Sequence, residues 1–398
     1  MKQHLLGGIT MKIDPYNHKQ LFFEWKAENE KGISGMCKIN SDLILKYIND
    51  MEKGLNVASC SSKGSRSYGR LSSLKYRMIF FSKKFKELYG IDLTEIKEEQ
   101  AVSLFSDMQN GTLKRSNGQS YKSVSTYVKD FKAFWHWWMK INKKQGIEIL
   151  DITQDLDTRK EKPDWVYLTE EQVKTLSNSA KYEHKVLIMF LFDSGIRSPT
   201  ELMNVKVSDL YNDCKELNIR EETSKTFGRR IKLMICPDLL KEYIKNKALK
   251  SDDYLFPINP ISVNKYLKRL AFKLFGDNAS EAGAKYSELS MYDFRHCSCC
   301  YWLPRYKSES ALKYRFGWKK TDKIHYYSEL LGMKDTIAEE DMLLDVTKTE
   351  IEKRLAKSEK KNEMLEEELD LLKEQMKRIN EVTNGIYAKI KNNLAVNE

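Results

Sequence analysis

Apolar residues recur three and four positions apart along much of this chain, with charged residues between them, and this spacing predicts helices. Residues 41–53 open with capping residues and continue at this spacing, which predicts a short helix. From Leu71 to Leu88 the apolar positions alternate with Lys and Arg, which predicts an amphipathic helix with a basic face. A further helix is predicted from Ser123 to Ile141. Its aromatic stripe is interpreted as helix-packing core rather than as a platform for stacking bases, and consists of Tyr127, Phe131, Phe134, Trp135 and Trp138.

The pattern changes in the middle of the chain. Residues 146–166 are polar, charged and without a period, which indicates a linker. A new apolar run follows Thr169 and Gln172, whose spacing is that of a capping box at the start of a helix. Residues 217–221 and 230–235 alternate like two strands, so the simplest interpretation is a β-hairpin that carries Lys225 near its tip. The other positions from 169 to 335 are predicted to be helical.

After Thr347 the apolar residues follow alternating steps of three and four, and almost all residues between them are Glu or Lys. This heptad pattern predicts a coiled coil, in which a polar seam residue such as Asn362 fixes the register. Over residues 351–382 the rod would be roughly 48 Å long. The seam consists of Ile351, Leu355, Ser358, Asn362, Leu365, Leu369, Leu372, Met376 and Ile379.

The composition is that of an ordinary globular protein, since 41% of the 398 residues are hydrophobic and 31% are charged. There is no apolar run long enough for a membrane span and no signal-peptide pattern at the start, so we expect a cytoplasmic protein. The seven cysteines do not form a disulfide framework. Cys297, Cys299 and Cys300 cluster, but without a second half of a zinc motif we interpret them as small buried residues and predict no metal site.

The net charge of +11 is concentrated in one segment. Residues 60–145 hold 17 Lys and Arg against 7 Asp and Glu, whereas residues 146–345 hold 32 of each sign. A local basic block with interleaved aromatic residues is typical of a nucleic-acid-binding surface. The predicted DNA contacts in this block are Lys63, Arg66, Arg70, Lys75, Arg77, Lys122 and Lys129.

Four residues beyond this block suit the cleavage of a phosphodiester without a metal ion. Arg197 and Arg295 can grip phosphate oxygens from two sides, because a guanidinium donates paired hydrogen bonds and keeps its charge. Lys225, by itself an ordinary exposed turn lysine, can protonate a leaving 5′ oxygen. Tyr327 can attack and form a covalent phosphoester that conserves the bond energy. The chain has no GxxxxGK[ST] loop, so we expect neither ATP nor another cofactor.

These residues stand in four motifs that resemble those of the tyrosine recombinases, the phage-type integrase family. Within this family, the likeness is to integrases of the archaeal or viral type. Residues 193–197 with 201–210 resemble the first arginine box, and residues 224–226 with 230–233 resemble the hairpin lysine motif. Residues 290–296 resemble the second arginine box. Residues 316–318, followed by Tyr327 nine positions after Trp318, resemble the final box. The likeness covers about 168–330, and four motifs in the family order are a specific signal.

The resemblance implies roles for particular residues. Arg197 and Arg295 would bind the scissile phosphate, Lys225 would be the general acid, and Tyr327 would be the nucleophile. Trp318 would occupy the His or Trp position that hydrogen-bonds a phosphate oxygen, and Tyr292 stands where the family usually has a histidine.

Several neighbouring residues leave alternatives open. Glu201 follows Arg197 by one residue more than in the family, which leaves its supporting role open. Tyr326 adjoins Tyr327, but the nine-residue interval favours Tyr327 as the nucleophile. His296 is interpreted as a supporting histidine rather than as a base, and His325 as either a donor near the site or a surface residue.

The resemblance further implies a mainly α fold with a small β-sheet or hairpin in the catalytic domain, arranged as a two-domain clamp, and the coiled coil predicted from the heptads follows this clamp. The expected function is site-specific recombination by an integrase of a mobile element, acting as a tetramer on double-stranded DNA through a 3′-phosphotyrosyl intermediate. The alternatives are a type IB-like topoisomerase, a DNA-binding or architectural protein with weakened catalysis, and a structural coiled-coil protein. The expected segments are an N-terminal helical extension (1–59), a helical DNA-binding domain (60–145), a linker (146–166), a catalytic domain (167–345) and a coiled-coil tail (346–398) that could also recruit a partner.

Overall fold

The computed structural model describes residues 12–55, 64–159, 163–306 and 308–330, together with helical positions between 355 and 379. The chain divides into two compact units, Met1–Tyr327 and Ser328–Glu398. The described residues are mainly helical with one three-stranded sheet, which confirms the predicted fold class at that level. Within these residues, no helix is both long enough and apolar enough to cross a membrane.

The first part of the larger unit consists of five helices packed around aromatic residues. The central helix of the basic block, α3, has its apolar face buried, and Phe81 and Phe85 are fully buried on it. On α5 the aromatic residues Phe131 and Phe134 are fully buried, so the interpretation of the stripe as packing core is confirmed. The helices are α1 (His18–Glu28), α2 (Lys38–Glu52), α3 (Tyr68–Tyr89), α4 (Glu98–Gln109) and α5 (Val124–Lys143).

The segment predicted as a linker packs against these helices over part of its length. Ile152 and Leu156 are buried in the same cluster as the aromatic residues of α5. The Trp135 indole donates a hydrogen bond to the carbonyl oxygen of Leu150 at 2.9 Å. Ile152 and Leu156 therefore anchor the first half of this segment, which the lack of a period did not reveal.

After the predicted linker, the described residues up to 330 form seven further α-helices, four short 3-10 helices and the sheet. The capping box predicted at Thr169 and Gln172 is present at the start of α6. The predicted hairpin is confirmed as β2 and β3, joined by the turn that holds Lys225, and a short strand β1 extends it. The elements are α6 (Glu170–Ser179), α7 (Tyr182–Ser194), β1 (Leu210–Tyr211), β2 (Glu216–Ile219), β3 (Arg229–Lys232), α8 (Pro237–Asn246), α9 (Pro260–Phe275), α10 (Asp293–Trp302), α11 (Glu309–Phe316) and α12 (Asp322–Leu330).

A buried ion pair joins three of these elements. Arg315 on α11 and Asp193 on α7 lie 3.2 Å apart, and their side chains are 2% and 0% exposed. The other carboxylate oxygen of Asp193 accepts three backbone N–H groups at 234–236, directly after β3. The pair therefore fixes the end of α11 and the sheet relative to α7.

The described positions of the tail between 355 and 379 are helical. The coiled coil itself stays a prediction, and Ile351 lies outside the described residues.

Candidate active site

Helix α10 places Arg295 and His296 at consecutive positions. Its first turn is fixed by Asp293, which accepts hydrogen bonds from the Ser290 N–H and hydroxyl at 2.7 and 2.6 Å. The other oxygen of Asp293 accepts the Val166 N–H at 3.1 Å, which ties the start of the catalytic part to this helix. These buried hydrogen bonds at the start of α10 therefore fix the orientation of Arg295 and His296.

Backbone carbonyl groups hold Arg295. Its guanidinium donates to the carbonyl oxygens of Gly195 at 2.6 Å and Phe316 at 2.5 Å, at the C-terminal ends of α7 and α11. Carbonyl oxygens at helix ends carry partial negative charge and favour a cation. Burial, together with the nearby charge of Arg197, lowers the pKa of Arg295 to about 10. Arg295 is thus still charged at neutral pH although only 3% of it is exposed.

Arg197 is held by a carboxylate and by a carbonyl group. It donates to Glu201 at 2.7 Å and to the carbonyl oxygen of Gly317 at 2.8 Å. Glu201 also accepts the backbone N–H of Arg197 at 3.0 Å. The extra residue between Arg197 and Glu201 therefore does not prevent direct contact between their side chains.

Glu201 joins Arg197 to a third arginine. Arg229, at the start of β3, donates to Glu201 at 2.8 Å, and the two side chains are 0% and 1% exposed. Burial alone would raise the pKa of Glu201, but the hydrogen bonds and charges of Arg229 and Arg197 outweigh it and lower the pKa to about 2. Glu201 is therefore a permanent anion between two cations.

Lys225 is exposed on the turn between β2 and β3. The residues on both sides of it are anchored in the arginine network. The Ser224 hydroxyl donates to Glu201 at 3.1 Å, and the Thr226 hydroxyl donates to the Gly317 carbonyl oxygen at 2.9 Å. The backbone around Lys225 is thus fixed close to Arg197, while its side chain extends into solvent.

Tyr327 lies inside the site and is only 3% exposed. Its hydroxyl is hydrogen-bonded to Nδ1 of His296, and its ring stacks on Trp318 with centroids 5.8 Å apart. Burial is the main cause that raises the pKa of the Tyr327 phenol, with a smaller contribution from Cys299, whereas Arg295 lowers it. The phenol is thus protonated at neutral pH and has an imidazole beside it.

Tyr326 points elsewhere. Its hydroxyl donates to the carbonyl oxygen of Pro163 at 3.2 Å. His325, the residue before it, is exposed. Tyr327, in contrast, is hydrogen-bonded to His296 on α10.

His296 is surrounded by aromatic rings. Trp165 packs on it with centroids 4.7 Å apart, and Tyr292 meets it edge-on at 5.2 Å. Tyr292 itself is 45% exposed. The imidazole next to the phenol therefore comes from position 296, while position 292 supplies one wall.

Several contributors were missed or underestimated from the sequence. Arg229 was not singled out among the candidate residues, and Trp165 was placed in the linker. A hydrophobic residue directly after a polar stretch was the one available signal for Trp165. The role of Arg229 had no local signal, because its partner is 28 residues away.

The three clustered cysteines, Cys297, Cys299 and Cys300, are buried on α10. Across the part of the chain that the structure describes, no three His, Cys, Asp or Glu side chains are grouped in a way that could hold a metal ion.

The predicted DNA contacts differ in their surroundings. Lys122 and Lys129 are exposed, whereas Arg70 and Arg77 pair with Asp130 at 2.5 and 3.6 Å. Arg66 is half-buried, and Lys63 lies outside the described residues.

Lys75 departs from the expected solvent-facing position. It is only 3% exposed, and its ammonium group lies 4.7 Å from the Trp25 ring centroid. A cation held over an aromatic ring in this way stabilises the packing of α3.

Residues 166–332 match the sequence model of the phage integrase family. This domain is therefore a phage integrase family domain, and its class is that of the tyrosine recombinases, which break and rejoin DNA strands. No curated protein sequence matches the chain.

Solved structures of similar fold come from this class. The Tn1549 transposon integrase in complex with circular intermediate DNA is 16% identical with a TM-score of 0.51, and the match covers 72% of this chain and 94% of that one. A lambda integrase dimer bound to a COC' core site is 12% identical with a TM-score of 0.54, and the match covers 80% and 83% of the two chains. At such identities the likeness establishes the fold.

Proposed function

We propose that this protein is a site-specific DNA recombinase of the integrase type, with Tyr327 as its nucleophile. The observation that carries the proposal is the hydrogen bond between the Tyr327 hydroxyl and His296, one residue after the buried Arg295. A phenol, an imidazole and two arginines gathered by the ends of α7 and α11 match the requirements of phosphoryl transfer to a tyrosine.

In the first step the Tyr327 oxygen attacks phosphorus and the bond to the 5′ oxygen breaks. The phenol proton passes to Nδ1 of His296, which must be unprotonated to accept it, so in this proposal His296 acts as a base and not as the supporting histidine expected from the sequence. Because burial raises the pKa of the phenol, this acceptor is needed at neutral pH. The products are a 3′-phosphotyrosine and a free 5′ hydroxyl, which then attacks the phosphotyrosine of the partner duplex in the reverse reaction.

Arg197 and Arg295 would hold the non-bridging oxygens during this step. Their positions are fixed by carbonyl oxygens and by Glu201, so they need no reorganisation as negative charge develops. Lys225, on its anchored turn, would give the proton to the departing 5′ oxygen. The indole N–H of Trp318 would donate to a phosphate oxygen.

Tyr292 bears on the strength of the activity. A histidine at that position is the family pattern, and Tyr292 here is 45% exposed. We propose that Tyr292 donates a hydrogen bond to a DNA phosphate oxygen, while the imidazole function is supplied by His296.

We also propose that the protein assembles as a tetramer on two duplexes and is the integrase of a mobile element. It would act in the cytoplasm, where the DNA substrate of such an element lies. A monomeric topoisomerase has less support, because the tail exposes an apolar seam that suits self-association.

The test uses a pool of nicked duplexes with randomised core sequences, from which the short 5′ product diffuses after cleavage. We expect wild-type protein to form a covalent adduct that survives denaturing electrophoresis, with the phosphate on Tyr327. Tyr327→Phe should bind DNA without forming the adduct, and Tyr326→Phe is the matched control that should retain it.

An adduct formed by Tyr327→Phe at wild-type yield would remove Tyr327 from the mechanism. Binding without any adduct by the wild-type protein would favour a DNA-binding protein that has lost cleavage. Plasmid relaxation by a monomer without sequence preference would favour the topoisomerase.

A further inference from the structure

The tail exposes apolar side chains along one face of a helix. The described residues Leu365, Leu369 and Leu372 are 51%, 53% and 54% exposed, and Met376 and Ile379 are 66% and 64% exposed. They follow alternating steps of three and four, so they form one continuous stripe. Such a stripe on an otherwise charged helix is stable in water only when another surface covers it.

The register follows from the order of the steps. A step of three leads from an a position to a d position, and a step of four leads to the next a. The described a positions are Leu355, Asn362, Leu369 and Met376. The described d positions are Ser358, Leu365, Leu372 and Ile379.

The flanking charges complement a second copy of the same helix. In a parallel, in-register pair, each g residue lies beside the e residue five positions later on the partner. Lys361 at g then faces Glu366 of the partner subunit, and the symmetric contact repeats this attraction. The same rule, applied to the sequence, pairs Arg354 with Glu359 and Glu368 with Lys373, again of opposite sign.

The same residues favour antiparallel pairing less. If apolar layers stay in contact with 355 opposite 379, Glu366 faces Glu366 of the partner subunit and Glu368 faces its own copy, so that only the contacts between Glu359 and Lys373 stay attractive. Asn362 then faces a leucine at 372 instead of another asparagine, so its amide is buried without a polar partner. In the parallel pair the two Asn362 amides meet and bond with each other, which favours two strands in register.

We propose that the tail binds a second copy of this chain as a parallel, in-register, two-stranded coiled coil, and that the protein is a dimer before it meets DNA. This inference does not rest on the cleavage chemistry. Each dimer would carry two catalytic domains that can occupy neighbouring half-sites. Once one domain has bound, the effective concentration of the other at the neighbouring half-site is raised.

The first experiment measures the mass of the full-length protein by sedimentation at micromolar concentration. Wild-type protein should show twice the chain mass of 46.7 kDa. Leu372→Glu, which places a charge in the seam, should weaken dimerisation by at least about 100-fold. The adjacent Leu371→Glu is the matched control, because the heptad places position 371 off the seam, and it should remain dimeric.

The second experiment tests orientation through Lys361 and Glu366. These positions are five apart and do not face each other on one helix, so any coupling between them must pass through the partner. Lys361→Glu or Glu366→Lys alone should weaken dimerisation by about 3- to 10-fold, and the double exchange should restore it. This pair is preferable to Lys373, which already lies 2.9 Å from Asp370 on its own helix.

Mixing the two single variants should produce heterodimers in preference to either homodimer, since each mixed contact is again attractive. A monomeric wild-type protein, a trimer, dissociation by Leu371→Glu, or no recovery in the double exchange would each overturn the proposal. Retained thermal unfolding of the Met1–Tyr327 unit in every variant shows that a mass change comes from the tail.

Discussion

At the scale of single residues, the site depends on groups that hold charged side chains in place as much as on the charged side chains themselves. Glu201 lies between Arg197 and Arg229, and carbonyl oxygens of Gly195 and Phe316 receive Arg295. A buried guanidinium without such acceptors would pay a large desolvation penalty. The acceptors thus allow a buried cluster of positive charge to exist in the folded protein.

The proposed role of Lys225 as general acid can be tested with a modified leaving group. A sulfur in place of the bridging 5′ oxygen leaves readily without a proton. Lys225→Ala should therefore lose about 10²- to 10⁴-fold in cleavage rate on normal DNA and recover most of it on the sulfur substrate. Arg197→Ala, whose defect lies in charge stabilisation, should not recover. Equal defects of Lys225→Ala on both substrates would exclude the general-acid role.

Glu201 predicts a pH dependence of stability. Its pKa is about 2 in the folded protein against an ordinary value of 4.5, so its contribution is present above pH 4.5 and is lost as the pH falls towards 2. The shift corresponds to roughly 3 kcal/mol. Glu201→Gln, which leaves the buried Arg229 without its ion-pair partner, should lower the free energy of unfolding by about 3–5 kcal/mol at pH 7.

Urea unfolding at pH 7 and at acid pH measures this effect, and the difference between wild type and Glu201→Gln should shrink at the lower pH. Glu222→Gln is a matched control, because Glu222 pairs with Arg220 at the surface with 57% of its side chain exposed. The control should change stability by less than about 1 kcal/mol. A constant difference across pH would contradict the assigned role of Glu201.

At the scale of elements, two helix ends create the arginine site. Helices α7 and α11 end at Gly195 and Gly317, both with φ of 59°, and this left-handed geometry suits glycine. Their carbonyl groups receive Arg295 and Arg197. A Cβ at position 195 would also collide with the Phe316 ring. The two glycines that end these helices therefore also provide the carbonyl oxygens that hold the two arginines.

Gly195→Ala should consequently destabilise the protein by roughly 2–4 kcal/mol, because it combines unfavourable backbone geometry with overpacking. Gly90→Ala separates these causes, since Gly90 ends α3 at φ of 70° and a Cβ there would meet nothing within 4 Å. Thermal unfolding should show a loss of only about 1 kcal/mol for Gly90→Ala. Equal losses would show that contact with Phe316 is unimportant.

The elements were more predictable from the sequence than the contacts. Helical spacing and the capping box at Thr169 are local signals, and α3, α5, α6 and the hairpin follow them. The hydrogen bond from Tyr327 to His296 spans 31 positions, and its existence depends on how α10 and α12 pack. The burial of Lys75 likewise depends on Trp25, which lies on another helix. Charge counts alone treat this lysine as equivalent to exposed ones.

At the scale of the whole molecule, the excess positive charge and the catalytic residues occupy different segments. The basic block is in the first helices, whereas residues 146–345 carry equal numbers of each sign. Affinity for DNA and cleavage should therefore be separable by mutation. The expected division of labour is that the helical segment provides phosphate contacts that depend on salt, while the catalytic domain contributes the chemistry.

This division leads to a prediction for the salt dependence of DNA binding. Each lysine that neutralises a phosphate contributes close to one unit to the slope of log K against log salt, so replacing exposed Lys122 and Lys129 by Ala should reduce the slope by about 2. Lys75→Met should leave the slope unchanged, because the Lys75 ammonium group is engaged with Trp25. Titrations of a fluorescent duplex at several salt concentrations measure both slopes. A reduction by Lys75→Met equal to that of an exposed lysine would mean that α3 rearranges on DNA and releases its buried cation.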